Sequence, residues 1–508
     1  MEERETMKKN LLAYSIILLS LYCFVDLSLG WSSFIFIALA VLLFFQQRGE
    51  GMPLPPVSLL LLANVLGYPV IVLMPWLYRD LWARLNPYII ELAMLWALRG
   101  FAAFCCAYLL GDAFARYLHR RQTHHGWNDG ERVAYIRYAV HAMGILSIIA
   151  WAIKSYHFGF GLTFIDSRTM LDVNSSGSSV SMTLDQLIYL RDPFLFFFGV
   201  MYARRLHSRF MWLLFAGIAV GLLFEIVTIG SKGAIIRLLF IVALVIAFTT
   251  RRISLKQLLA GGLMLFTVYM AFAIITEYRD ILGEKKIRGE DVFDVSVQVD
   301  AFAEALMVSL PFTEKVEQRR TTVNEEGIFG RISSGIFSFG YLLYYTGGRS
   351  PHEHAWEVFL LPVYSVVPRS LVEKPIFFNS ARFGLEYFHS STAIAISTVG
   401  SFYYAWGYGG ILIGMGLFGG ALAFFIQRVR LRGTALTSVV FMMAIMMRLV
   451  DVGFTFWGVG IELCRLALIM LGLYMLYPIV KRLKSGRAPM VAMAAPSGHR
   501  AGGDYEPF

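Results

Sequence analysis

The sequence predicts an all-α polytopic membrane protein, with about twelve transmembrane helices and one large late loop containing short interfacial helices. Three observations predict it. First, 57% of the 508 residues are hydrophobic and only 16% charged, with mean hydropathy +0.61. Second, apolar runs near the length of a bilayer crossing recur along the whole chain, and runs that long favour helices over barrel strands. Third, the basic residues gather in alternate short loops. A net charge of +10 would suggest nucleic acid for a soluble chain. Here the cations sit between spans, and membrane topology accounts for them.

The spans are expected near 10–30, 31–46, 57–75, 87–111, 138–153, 186–203, 209–229, 234–250, 257–278, 396–427, 434–452 and 455–478. Arg4, Lys8 and Lys9 precede the first apolar stretch, and no small-residue cleavage site follows. That stretch reads as a retained span rather than a removed signal peptide. With the N-terminus inside, the inside loops carry Arg48; Arg116, Arg120, Arg121, Arg132 and Arg137; Arg204, Arg205 and Arg209; Arg251, Arg252 and Lys256; and Arg428, Arg430 and Arg432. The tail adds Lys481, Arg482 and Lys484, so both termini are placed in the cytoplasm.

Two outside segments are too long to be plain connectors: 154–185 and 279–395. The second holds aromatic and aliphatic stretches at Ile332–Tyr345 and Ala355–Val367, expected to lie in the interface or against the bundle. The chain thus divides into an N-terminal bundle of about nine spans over 1–278, the outside loop 279–395, C-terminal spans over 396–480 and a tail over 481–508. The four cysteines lie in apolar runs, which predicts neither a disulfide framework nor a thiolate metal site.

Leu361–Gln427 organises the rest. Pro362, Pro368 and Pro375 break its first half, which carries Arg369, Lys374, Arg382 and His389. Its second half is a glycine-laced apolar run. A cationic loop feeding a membrane helix suits an anionic, membrane-tethered substrate. Other outward cations are Arg168, Lys232 and Arg237 around the turn IGSKGAIIR, and Arg279 beside Asp280. Guanidinium forks bind two phosphate oxygens at once, although basic residues at span ends also serve as interface anchors. Candidate bases are His389 and Asp166, with a hydrogen-bonded interfacial histidine as the plainer reading of the first.

Charges inside the apolar runs are Glu225, placed on the helix face of Lys232, Arg191–Asp192, and the pairs Arg448/Asp451 and Glu462/Arg465. Their i,i+3 spacing reads the last two as mutually neutralising. His352–Glu353–His354 lacks the spacing of a helical zinc motif, so no metal is expected. Phe402, Tyr403, Tyr404, Trp406 and Tyr408 read as an interfacial belt before a sugar platform, and Gly410/Gly414 and Gly416/Gly420 as close helix packing.

GSKG (230–233), VPRSLVEKP (367–375) and STVGSFYYAWGYGGILIGMGLFGG (397–420), with the many spans and the late outside loop, resemble the Wzy-type O-antigen polymerases of bacterial envelopes. Lys232 stands where that family often has arginine, which removes a forked contact. The resemblance implies a glycosyltransferase of the bacterial inner membrane, polymerising undecaprenyl-diphosphate-linked repeat units at the periplasmic face. Arg168, Lys232, Arg237, Arg279, Arg369 and Arg382 would hold the diphosphate or glycan, and His389 or Asp166 would take the acceptor proton. The lipid carrier belongs to the substrate and no cofactor is implied; no Walker loop is present. Implied partners are the bilayer, a chain-length regulator and a flippase, with no nucleic acid. An O-antigen ligase, a polysaccharide or solute transporter, and a structural scaffold are the alternatives.

Overall fold

The computed structural model describes residues 2–48, 55–73, 86–121, 129–158, 184, 187–229, 232–249, 274, 277–278, 281–282, 284–285, 288–290, 294–309, 328–347, 397–432, 436–450 and 456–485. Among these, all regular structure is helical. In chain order the helices are α1 (Glu2–Tyr22), α2 (Leu29–Gln47), α3 (Ser58–Val65), α4 (Pro87–Arg121), α5 (Asp129–Phe158), α6 (Arg191–Ala203) and α7 (Arg209–Ile229). They continue with α8 (Lys232–Thr249), α9 (Val295–Ser309), α10 (Ile328–Tyr345), α11 (Thr398–Arg432), α12 (Leu436–Val450) and α13 (Phe456–Ser485). Five of them hold stretches long and apolar enough to cross a membrane: Leu29–Gln47, Pro87–Arg120, Val133–Tyr156, Thr398–Val429 and Leu466–Leu483. The chain is therefore built as a helical membrane protein.

Local chemistry sets several helix ends. Ser208 starts α7 by accepting the Met211 N–H on its Oγ at 3.2 Å. The α6–α7 turn closes with Arg205 in the left-handed region, φ 59°, while the Leu206 N–H donates to the Met201 carbonyl at 2.8 Å. Beyond α3, Pro69 cannot donate to the helical ladder, and the chain widens into a π-helical turn over Leu66–Val70 before Ile71–Leu73 resumes.

The largest contact joins α4 to α11, which run side by side in the same direction. Trp96 stacks on Tyr408 at one end, and Phe114 meets Phe424 at the other. Between them the backbones nearly touch. A Cβ on Gly111 would strike the Gly420 carbonyl, and one on Gly419 would strike the Phe104 carbonyl. Gly416 and Gly420 both face Ala107, so the expected close packing holds there. Helices α1, α2, α10 and α12 pack around this pair.

A second group, α5 to α8, packs through side chains. Phe198 stacks on Phe215 at 4.5 Å and meets Trp212 edge-on at 5.1 Å. Helices α6 and α8 lie together with their N-termini at the same end, since Arg237 covers Tyr189 there and Gly199 faces Val245 further along. Helix α13 joins α5 through Tyr135 and Tyr477, and α12 touches α6.

Several expectations change. The run 396–427 is not one helix. Trp406 (φ −139°, ψ 17°) and Gly407 (φ 66°, ψ −153°) break it, the second in a region open in practice to glycine alone. The rings of Phe402 and Phe418 lie 5.5 Å apart, whereas 16 residues of unbroken helix span about 24 Å. The first limb, Thr398–Ala405, therefore folds back along the second. Gly410 and Gly414 face Phe402 of that limb rather than another helix. Likewise Phe402 and Tyr403 are fully buried core residues, not an interfacial belt.

Of the stretches expected in the interface or against the bundle, Ile332–Tyr345 takes the second course. Ile336, Phe337, Phe339, Leu342 and Leu343 of α10 are buried against α4, α11 and the π turn. Ala355–Val367 lies outside the described residues. Glu225 and Lys232 do not share a helix, because α7 ends at Ile229 and Lys232 opens α8.

Candidate functional site

Two polar places interrupt the apolar interior. The first lies where α6 and α8 begin. Arg191 is 4% exposed and Asp192 7%, with Nε and Oδ1 3.8 Å apart. The fold thus buries a pair that the sequence marks only as charges inside an apolar run. A buried charge away from water is costly unless compensated, and Asp192 supplies an opposite charge. The guanidinium of Arg237, from α8, sits 4.9 Å over the Tyr189 ring. Nearby, the Ser147 hydroxyl donates to the Ile188 carbonyl at 3.1 Å and ties α5 to this junction. Two helix N-termini side by side add positive partial charge to that of the two arginines. Among the described residues the junction thus holds two guanidinium groups and one carboxylate beside two helix N-termini.

The second place is where the π turn, α10 and the folded-back limb of α11 meet. The Ser397 N–H donates to Ser338 Oγ at 3.2 Å, and Ser338 Oγ donates to the Gly335 carbonyl at 3.2 Å. Ser397 Oγ accepts the Gly400 N–H at 3.1 Å and caps the limb. The Tyr68 hydroxyl lies close to the Ser397 side chain and the Val399 backbone. Toward the break, Thr346 Oγ1 and the Tyr403 hydroxyl are 3.4 Å apart, and the Tyr403 and Tyr408 rings lie 5.0 Å apart. Tyr408 stacks on Trp96 at 4.2 Å, and Arg99 lies over the Trp96 ring at 4.8 Å. Arg99 then reaches the α1–α2 turn, donating to the Cys23 carbonyl at 3.2 Å and pairing with Asp26 at 3.1 Å. These bonds are mutual, so this place is a fastening for the broken helix.

Among the phosphate- and glycan-binding candidates and candidate bases named from sequence, only Arg237 has a described side chain, and it lies at the first place. Lys232 is the first residue of α8, which puts its backbone at the same helix end. Asp166, Arg168, Arg279, Arg369, Arg382 and His389 lie outside the described residues, as does His352–Glu353–His354. The structure thus brings Arg237 together with Arg191 and Asp192. Sequence reasoning passed over Arg99, Asp26 and Tyr68. Arg99 carried a signal, being a lone cation inside the apolar run 87–111; Pro69 inside another such run marked the π turn.

No family model, no curated protein and no solved structure matches this chain.

Proposed function

We propose that this protein is an inner-membrane glycosyltransferase that polymerises lipid-diphosphate-linked oligosaccharide units at the outer membrane face. The observation that carries the reading is the junction of α6 and α8, where Arg191, Asp192 and Arg237 gather at two helix N-termini. Helix ends bearing Arg116, Arg137, Arg209, Arg428 and Lys481 point the other way. The positive-inside rule then turns the α6–α8 junction outward. Twelve spans, a periplasmic loop over 279–395 and cytoplasmic termini complete the layout.

In the reaction, the bond between the anomeric carbon of the growing glycan and its carrier diphosphate breaks. The electron pair leaves with the diphosphate oxygen. A hydroxyl of the incoming unit forms the new bond to that carbon and gives its proton to His389 or Asp166. Arg168, Lys232, Arg237, Arg279, Arg369 and Arg382 stabilise the departing charge. A ligase would run the same step onto a lipid A core acceptor.

Transport is a second reading, favoured by a specific observation. The broken α11, the π turn and their buried serines are features that membrane carriers place at substrate sites.

Surface glycan from a strain lacking the gene, complemented with wild type or Arg237→Ala, separates these readings. A polymerase leaves single units on the surface when absent. Arg237→Ala at normal protein level then cuts polymer yield about 100-fold. Loss of all glycan from the core points to a ligase. Accumulation of finished polymer inside the cell points to a carrier.

A further inference from the structure

At the other end of α6 from its junction with α8, helices α5 and α7 lie side by side and run in the same direction. The His141 and Phe210 rings stack at 5.4 Å, and further along Gly217 faces Ile148 and Gly221 faces Trp151. The first contact is also a hydrogen-bonded bridge. His141 Nδ1 lies 2.5 Å from the Arg137 carbonyl, which can only accept, so the ring donates there. In the neutral ring Nε2 then accepts from the Ser208 hydroxyl at 3.4 Å, while Ser208 Oγ accepts the Met211 N–H. Three exposed guanidinium groups border this bridge. Arg137 lies one turn before His141, Arg209 follows Ser208, and Arg205 sits in the α6–α7 turn. No carboxylate among the described residues pairs with them.

The depth of these cations is set by their helices. Arg137 and His141 fall inside the 24-residue apolar stretch Val133–Tyr156, and Arg209 opens the apolar stretch Arg209–Leu223. Twenty-four helical residues span about 36 Å against a hydrocarbon core of about 30 Å, so Arg137, about 6 Å in, sits where headgroups meet acyl chains. Two exposed apolar rows continue along the seam. Leu213 and Val220 follow Arg209, and Ile145 and Ile149 follow His141, at helical spacing. Their exposures are 69%, 62%, 38% and 50%.

We infer that the α5–α7 seam holds an anionic phospholipid, with its headgroup phosphate on Arg137, Arg205 and Arg209 and its acyl chains along the two apolar rows. Charge and depth together select this occupant. Basic pockets between spans at a membrane surface attract anionic headgroups, and guanidinium forks match phosphate oxygens. The apolar rows begin directly beneath the cations, as the chains of a lipid begin beneath its phosphate. The His141–Ser208 bridge ties the two helix ends together, so the cations keep their spacing. The inference does not depend on the transfer reaction.

Native mass spectrometry of the full-length protein in detergent tests it, with phosphatidylglycerol or phosphatidylcholine of the same acyl chains titrated in. Wild type should take up one phosphatidylglycerol with at least about tenfold preference over phosphatidylcholine. The double variant Arg137→Gln, Arg209→Gln should bind that phosphatidylglycerol about 30-fold more weakly. Arg48→Gln is the control, an exposed cation at the end of α2 and outside the seam, and should bind as wild type does. Equal uptake of the two lipids by wild type would overturn the inference, leaving the arginines as anchors that any headgroup satisfies; this comparison needs no variant to fold. Unchanged binding by the double variant would overturn it too, as would an equal loss in Arg48→Gln, because the attraction would then be diffuse charge.

Discussion

The α4–α11 seam and the α5–α8 bundle both use glycine, and they use it differently. In the seam, the space above Gly111 and Gly419 is filled by a neighbour's backbone carbonyl. In the bundle, Gly144 receives the Phe194 ring, Gly199 receives Val245, Gly217 receives Ile148 and Gly221 receives Trp151. A side chain can change rotamer when its pocket shrinks; a helix backbone moves only as a unit. The seam is thus a rigid spine between two long helices, and the bundle a packing that can adjust.

Three substitutions test that difference. Gly111→Ala should be the most damaging. Its methyl group meets the Gly420 carbonyl, and separating the helices costs about 3 kcal/mol or more. The expected readout is loss of the monodisperse peak in detergent size exclusion; a normal peak with unchanged melting would show that the seam can part after all. Gly407→Ala comes next. With φ 66° and ψ −153°, it should cost about 1–3 kcal/mol and loosen the folded-back limb, seen as faster proteolysis near the break. Gly221→Ala should have the smallest effect and the opposite sign. A Cβ there lies 3.4 Å from Trp151, an ordinary contact, while helix propensity gains about 1 kcal/mol. A melting temperature equal to or above wild type is expected, and a clear drop would show that the bundle is as unyielding as the seam.

Legibility in the sequence followed the same division. Helix α7 appears where periodicity and boundaries put it, because a long apolar run sits between Arg209 and the Gly230–Ser231 pair. The seam was readable in part, since Gly416 and Gly420 do pack against α4. Gly410 and Gly414 have the same spacing and serve an internal fold-back instead. Spacing records that two surfaces approach closely, not which surfaces they are. The burial of α10 was hidden for a related reason: an apolar segment inside a polar loop suits an interface as well as a core, and only the partner decides. At the candidate site, Arg237 was visible as an outward cation, but Arg191 gained its meaning from the pairing of α6 with α8. That pairing depends on residues nearly 50 positions apart, Tyr189 and Arg237 among them.

The fastening at Ser397 has a further consequence. Ser338 and Thr346, in and just beyond α10, are hydrogen-bonded to Ser397 and Tyr403 at and in the folded-back limb, so the described residues flanking 348–396 lie side by side along one contact. Those 49 residues hold Arg369, Arg382 and His389. The described residues on either side of that stretch therefore belong to helices already fastened to each other.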